Sequence, residues 1–377
     1  MKILIISDGR PGHYNQSVGI VSHIKNAEFY LIEVKFSSKW RDNLLRVLMR
    51  LVGWMPMPEG FIVRLLNMAL SQESASDILT CEDYDIILST GSSVAPINLL
   101  LGKLIDAYTV VCTRPSPLGI AYFDLAILPQ HHWPRINRKN VCKTLGVPNL
   151  ITPEDIEQRR KQLQSKLNLP DKSRIGVLLG GEDRYFTITP ATASKLLDTL
   201  LKVCGKIDGQ IALTTSRRTP QVVEELVYSR LDVDNRCVIL QLASRIYPQS
   251  QRKFANIPDP VASIFAISDI VIVTEDSFSM VCEAASSGRK VIILDVDRKS
   301  RRRPRRHRTY DSIMQSPPPF PPVDGGVGGV VKCNIDNLEE MLLKVAYEEV
   351  NGKALRDAKK AANAIIQMLS NQKHFAK

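Results

Sequence analysis

Along the chain, short runs of Val, Ile and Leu alternate with longer stretches in which apolar residues recur every three or four positions. In the first part the runs are KILIIS (2–7), EFYLIEVK (28–35), DIILST (85–90), YTVVCTR (108–114) and LAILP (125–129). RIGVLLGG (174–181), QIALTTS (210–216), RCVILQL (236–242), DIVIVTED (269–276), KVIILDV (290–296) and GVVKC (329–333) follow. Nearly unbroken apolar runs separated by helix-length segments predict parallel strands covered on both faces. TPEDIEQRRKQLQSKL (152–167) divides the two series and reads as a helix. Thr152 can cap it, Pro153 suits its first turn, and Glu154 and Asp155 favour its positive end. The pattern therefore predicts an α/β protein of two Rossmann-like, doubly wound domains. Residues 1–150 form the first, 151–172 a linker helix, and 173–350 the second. A C-terminal helix, 351–377, crosses back to the first, and SPPPFPPVDGGVGG (316–329) is a loop of the second.

Composition narrows this only a little. Apolar residues make up 44% and charged residues 24% of the 377, as in ordinary folded proteins. Cysteines at 81, 112, 142, 204, 237, 282 and 333 form no CxxC pair, and several sit in apolar runs. They read as reduced, buried thiols and point to a cytoplasmic chain. The start MKILIISDGR lacks a long apolar export segment, and no apolar run approaches ~18 residues, so neither export nor membrane spanning is expected.

The net charge of +11 is concentrated. RKSRRRPRRHR (298–308) holds eight Arg or Lys and no acid, and without it the balance falls to +3. Such a run suits anionic lipid or a phosphorylated acceptor, with a solvated loop as the plainer alternative. Without interleaved aromatics to stack bases, nucleic acid is the least suited partner. A second surface signal lies in residues 40–54, where Trp40 and Trp54 flank apolar residues and arginines at 41, 46 and 50. That composition fits a helix lying on an anionic membrane surface, or a plain amphipathic helix covering the sheet.

The chemistry gathers where strands end. SDGRPGHYNQS (7–17) carries more hydrogen-bonding groups than a chain reversal needs, with helical patterning resuming at Gln16. In open α/β sheets that carboxyl edge is where ligands bind. In the second half, Gly180 and Gly181 end a strand where backbone N–H groups can approach a phosphate. Ser216, Arg217 and Arg218 end the next one with paired guanidiniums. In TEDSFSMVCEAASSG (274–288), Asp276 or Ser277 can cap a helix whose start would face the same edge. Glu283 lies four residues after Ser279, on one helix face with it, and can hold both hydroxyls of a ribose. Three elements converging on one edge favour a nucleotide. The DVD at 295–297 sits alone at a strand end, and His131 and His132 lack spaced partners, so no metal site is read.

SDGRPGHYNQS, LPQHHW…TLGVPN, LLGGEDRYF, TTSRRTP and TEDSFSMVCEAASSGRKV occur in this order over residues 1–296. Together they resemble the Elm-type (mitochondrial-fission) family, whose bacterial members are regarded as glycosyltransferases of the GT-B fold. The resemblance implies two Rossmann-like domains facing across a cleft, with a nucleotide-sugar donor in the second as co-substrate and no resident cofactor. Gly180, Gly181, Ser216, Arg217 and Arg218 would surround the diphosphate, with Ser277 and Ser279 at the helix start and Glu283 on the ribose. Asp8, Arg10, His13, Asn15 and Gln16 would point at the acceptor and the leaving phosphate. Arg10, Asn15 and Gln16 are the acceptor contacts, and His13 or Asp8 is the base. The acceptor would be an envelope saccharide or a lipid-linked sugar, reached from the cytoplasmic face of a membrane. A non-catalytic recruitment protein of the same fold, and a nucleotide-sugar 2-epimerase, are the alternatives. TGSS (90–93) departs from the family pattern in lacking a basic residue.

Overall fold

The computed structural model describes residues 1–244, 257, 259–314, 329–347 and 354–373. All but the last residue of the 316–329 loop expected from the sequence lies outside the described residues. The chain divides into two compact units: Met1–Leu150 together with Arg356–Lys377, and Ile151–Leu355.

Unit 1 is built from β1 (Lys2–Ser7), α1 (Pro11–Val21), β2 (Glu28–Glu33), α2 (Lys39–Val52), α3 (Glu59–Ala69), α4 (Gln72–Leu79), β3 (Ile86–Thr90), α5 (Ala95–Ile105), β4 (Tyr108–Cys112), β5 (Leu125–Pro129) and β6 (Val141–Thr144). Its strands are parallel in the order β2-β1-β3-β4-β5-β6, with Ile5 opposite Leu88 in the central pair. The unbroken apolar runs occupy the central strands: Ile3, Leu4, Ile5 and Ile6 are all fully buried. Leu4 and Ile6 face the core under α2, α3 and α5, while Ile3 and Ile5 face α1, as the two-residue period of a strand requires.

Unit 2 comprises α6 (Pro153–Leu167), β7 (Arg174–Leu179), β8 (Phe186–Thr187), α7 (Pro190–Lys206), β9 (Gln210–Thr215), α8 (Gln221–Leu231), β10 (Cys237–Gln241), α9 (Pro260–Ile267), β11 (Ile270–Thr274), α10 (Phe278–Ser286), β12 (Lys290–Leu294), β13 (Asp297–Arg298), α11 (His307–Met314), β14 (Val330–Cys333) and α12 (Leu338–Tyr347). The parallel order is β10-β9-β7-β11-β12-β14. Counted along the main sheet this is 3-2-1-4-5-6, the Rossmann arrangement. Helix α6 starts as its sequence signals require, with Thr152 Oγ1 accepting from the Asp155 N–H at 3.1 Å and Pro153 at the first position. It packs on α9 within this unit, so the segment read as a linker is part of the second fold.

The last helix, α13 (Asp357–Lys373), packs with unit 1, where Ala361, Ala362 and Ile365 lie against α1 and the β1–β3–β4 face. Its first residue anchors it. The buried Asp357 carboxylate accepts from the N–H groups of Leu145 (3.0 Å) and Gly146 (2.6 Å), just beyond β6. All seven cysteines are buried thiols, none of them in a disulfide. Among the described residues no helix is long and apolar enough to cross a membrane.

Replacing Asp357 with Ala orphans two buried N–H groups, so the variant should lose about 2–4 kcal/mol of stability. Its denaturation midpoint, measured against wild type, checks this.

Candidate functional site

In each sheet the strand order reverses once, between β1 and β3 in unit 1 and between β7 and β11 in unit 2. Loops diverging there leave a crevice at the carboxyl ends of the strands. The motifs singled out from sequence lie on these two edges.

In unit 2 the organising group is Asp276, whose side chain is essentially unexposed. Its Oδ2 accepts from the Gly181 N–H and from Arg218 Nη2, both at 2.9 Å. A Cβ at Gly180 would overlap the Asp276 carboxylate, and one at Gly181 would overlap the Arg218 carbonyl. The glycines therefore let three loops close on one another. Gly180 N–H is also taken, donating to Thr274 Oγ1 at 2.8 Å. This corrects the expectation that the two glycine N–H groups stand ready for a phosphate. Ser216 is likewise occupied, its Oγ accepting from the Arg218 N–H at 3.1 Å within the turn.

The arginine pair is split. Arg218 is bound to Asp276 and to the Glu182 carbonyl, whereas Arg217 is exposed and has no partner among the described residues. Ser277 holds the N-cap position of α10, yet its hydroxyl makes no capping bond, and Asp276 is drawn away to the glycine loop. Among the described residues, no side chain caps the positive end of α10. Ser279, one turn before Glu283, is half-buried and unpaired among the described residues. Glu283 is half-buried on the same helix face, also without a hydrogen-bond or ion-pair partner among them. Desolvation, aided by the negative charge of Asp259, pushes its carboxyl up to about 7.

The basic run at 298–308 is partly consumed by the fold, against the expectation of a free phosphate-binding strip. Lys299 pairs with Glu182 (3.0 Å), Arg303 with Asp311 (2.7 Å) and Arg306 with Asp183 (2.5 Å). Arg298 continues into the short β13–β8 ribbon. His307 is buried 3.3 Å from Glu275, and desolvation with surrounding cations pushes its pKa down to about 4. The DVD carboxylates are spent structurally: Asp297 Oδ2 accepts from Thr189 N–H and from the Thr189 and Thr192 hydroxyls, while Asp295 pairs with Lys332.

In unit 1, α1 begins at Pro11, so His13, Asn15 and Gln16 are helical residues and the loop is only Asp8–Arg10. Proline pre-sets the helical φ at its first turn, which starts the helix five residues before the apolar pattern resumes. His13 Nδ1 lies 3.0 Å from both carboxylate oxygens of Asp8. Burial alone would raise the Asp8 carboxyl, but the hydrogen bond and charge of His13, with help from Arg10, hold it below the usual range. With Asp8 ionised, the carboxylate accepts and Nδ1–H is the donor of this bond. The imidazole rests on Gly91, where φ is +102° and a Cβ would come within 2.6 Å of the ring. Arg10 is solvent-exposed beside Asp8 at 3.6 Å, and Asn15 is half-buried. Gln16 is not an acceptor contact: it is buried, with its Oε1 near the Cys112 thiol. Sequence reading missed Gly91 as the floor under His13. Its signal was a glycine just after a strand on the neighbouring side of the switch point.

Two doubly wound units in one chain, each with its polar loops at a topological switch point, define a GT-B-type fold. Residues 11–369 match the mitochondrial fission ELM1 family, and the chain belongs to it. It is 23% identical over 323 residues to the RP120 protein of Rickettsia prowazekii, covering 78% of this chain and 83% of that one. To mitochondrial fission protein ELM1 of Arabidopsis thaliana it is 21% identical over 352 residues, covering 78% and 79%. The solved UDP-GlcNAc 2-epimerase of Methanocaldococcus jannaschii shares its fold, with a TM-score of 0.57 at 12% identity over 98% of this chain and all of that one.

A carboxyl that titrates near 7 in the folded protein and near 4.5 unfolded binds more protons when folded between those values. Stability should therefore fall as pH rises through this window, once other groups are subtracted. Denaturation midpoints of wild type and Glu283→Gln should lie closest at the acid end of this window, separate as pH rises through it with wild type falling relative to the variant, and run parallel above it.

Proposed function

We propose that this protein is a glycosyltransferase that moves a sugar from a nucleotide-sugar donor to an envelope saccharide or lipid-linked acceptor. The observation that carries the reading is the edge of unit 2, where the start of α10 has no side-chain cap and the side chains of Ser277, Ser279, Arg217 and Glu283 have no hydrogen-bond or ion-pair partner among the described residues. Buried or half-buried polar groups are normally satisfied, so a set left open on one edge calls for a polar ligand. A helix start and a guanidinium fork suit a diphosphate, and an accepting carboxylate four residues further along suits the two ribose hydroxyls. Gly180, Gly181, Ser216 and Arg218 shape this edge, with Asp276 holding them.

In this reading unit 2 binds the donor and unit 1 contributes the base. The acceptor hydroxyl oxygen bonds to the anomeric carbon as the bond from that carbon to the diphosphate oxygen breaks. The hydroxyl proton passes to His13 Nε2, and Asp8 orients the ring and stabilises the imidazolium that forms. The nucleoside diphosphate departs with the extra negative charge, met by α10 and Arg217. Arg10 and Asn15 are the remaining acceptor contacts.

A thermal-shift panel of nucleoside diphosphates and nucleotide sugars tests the donor assignment, since ligands of the folded state raise its apparent stability. At least one should shift wild type, and Glu283→Ala should weaken its binding by roughly 1–3 kcal/mol. No shift with any of them leaves the recruitment-protein alternative. A donor consumed without any acceptor, yielding a sugar epimer, identifies the 2-epimerase instead.

The split arginine pair gives a second test. Arg217→Lys keeps the charge but loses the fork, so turnover should fall with stability unchanged. Arg218→Lys should lower the melting temperature, because it loosens the bracket on Asp276. Equal effects of the two substitutions on both measurements would contradict the assignment.

A further inference from the structure

Helix α2 is apolar on two opposite sides. Leu45 and Met49 are fully buried in the core of unit 1. At 100° per residue, Trp40, Val47 and Leu51 fall within about 40° of one another on the reverse side. They are 68%, 53% and 65% exposed. Trp54, 67% exposed, is folded back onto the end of this stripe, its indole N–H donating to the Leu51 carbonyl at 2.9 Å. Met55 and Phe61, each 42% exposed, add to the apolar surface that follows. One buried stripe is what a helix on a sheet requires, and the second is not used by the fold.

The flanks of the outer stripe are cationic. Lys39, Arg41 and Arg50 are exposed. The one carboxylate on α2, Asp42, is buried and neutralised by Arg46 at 2.9 Å, with Ser93 donating to it at 3.2 Å. Helix α3 adds exposed Arg64 and Glu59, one of each sign.

We infer that the outer side of α2 docks unit 1 onto an anionic bilayer, the helix lying in the plane of the interface. Indole rings at both ends of an apolar stripe, with Lys and Arg along its margins, match the apolar-to-headgroup gradient of a lipid surface. The docking has two physical components. Burial of Trp40, Val47, Leu51 and Trp54 is insensitive to salt, whereas attraction of Lys39, Arg41 and Arg50 to anionic headgroups is screened. The 298–308 run is not required, since three of its cations are committed to internal pairs. None of the residues assigned to donor or base lies on this stripe, so the inference stands apart from the glycosyltransferase reading.

The test uses the full chain with vesicles of phosphatidylcholine, with or without phosphatidylglycerol, in co-sedimentation and tryptophan fluorescence. The chain has three tryptophans. Trp133 donates from its indole to the Leu128 and Thr144 carbonyls, so lipid-dependent emission reports Trp40 and Trp54. The protein should sediment with the anionic vesicles, its emission should shift to the blue, and brominated lipid should quench it. High salt should weaken binding several-fold without abolishing it. Val47→Ser with Leu51→Ser should reduce partitioning at least about tenfold, because two exposed apolar side chains lose their burial. The far-ultraviolet circular dichroism spectrum and the denaturation midpoint should be close to wild type in that variant, showing an intact fold. Lys39→Ser with Arg50→Ser should remove most of the salt-sensitive part and leave the rest. Absence of sedimentation with anionic vesicles at low salt overturns the inference, as does binding unchanged in the serine variant. A dimer that the serine substitutions abolish, in a protein that ignores vesicles, would reassign the stripe to contacts between copies of this chain.

Discussion

The buried carboxylate of Asp276 is the constraint on which the candidate site depends. It sits under Gly180, where no side chain fits, and its Oδ2 takes a backbone N–H from the glycine loop and a guanidinium from the SRRTP turn. Burial raises its pKa, opposed by the Gly181 N–H, Thr274 and Arg218. A charge in this position is tolerated only while those partners stay in place. Because Asp276 is held to the glycine loop, it cannot cap α10, and the helix start is left open. One internal carboxylate thus decides both the closure of three loops and the lack of an Asp276 cap on α10.

A comparable economy governs unit 1. Asp8 follows β1, His13 lies in the first turn of α1, and Gly91 follows β3. The reversal of strand order between β1 and β3 brings the two loops together, and the positive φ at Gly91 makes room for the imidazole. Asp8 then fixes which ring nitrogen carries the proton. The two side chains are thereby held together at the carboxyl edge of the sheet, a placement that neither residue has alone. Two sheets of different strand order, 2-1-3-4-5-6 and 3-2-1-4-5-6, therefore use one geometric principle to assemble polar groups.

The surface follows another logic. Three of the cations in the basic run are committed to ion pairs with Glu182, Asp183 and Asp311, so charge density along the sequence overstates what solvent meets. On α2 the reverse holds. Its sequence reads as a single amphipathic helix; the fold buries Leu45 and Met49 from it and leaves Trp40, Val47 and Leu51 exposed, with Trp54 just beyond its end.

The sequence by itself determined the strands, the helices between them, the two-unit α/β architecture, the Thr152 cap and the loops that carry polar chemistry. These are local properties: apolar period and cap residues act over a few positions, and both survive without knowledge of the rest of the chain. It misplaced the start of α1, because a proline-led first turn has no apolar periodicity to announce it. What only the tertiary structure decided is which polar groups are already spent. Arg217 and Arg218 are adjacent and chemically identical, yet Arg218 is bound to Asp276 while Arg217 has no partner among the described residues. Gln16 turns inward while His13, less than a turn away on the same helix, is held at the edge. The Gly180 and Gly181 N–H groups, which look available in a strand–glycine pattern, are satisfied from β11 and the residues just after it. The partners responsible stand 58 and 95 residues away for Asp276 with Arg218 and Gly181. Such pairs meet only because parallel strands deliver their carboxyl ends to a common edge, and hydrogen bonding there depends on distances that no local pattern encodes.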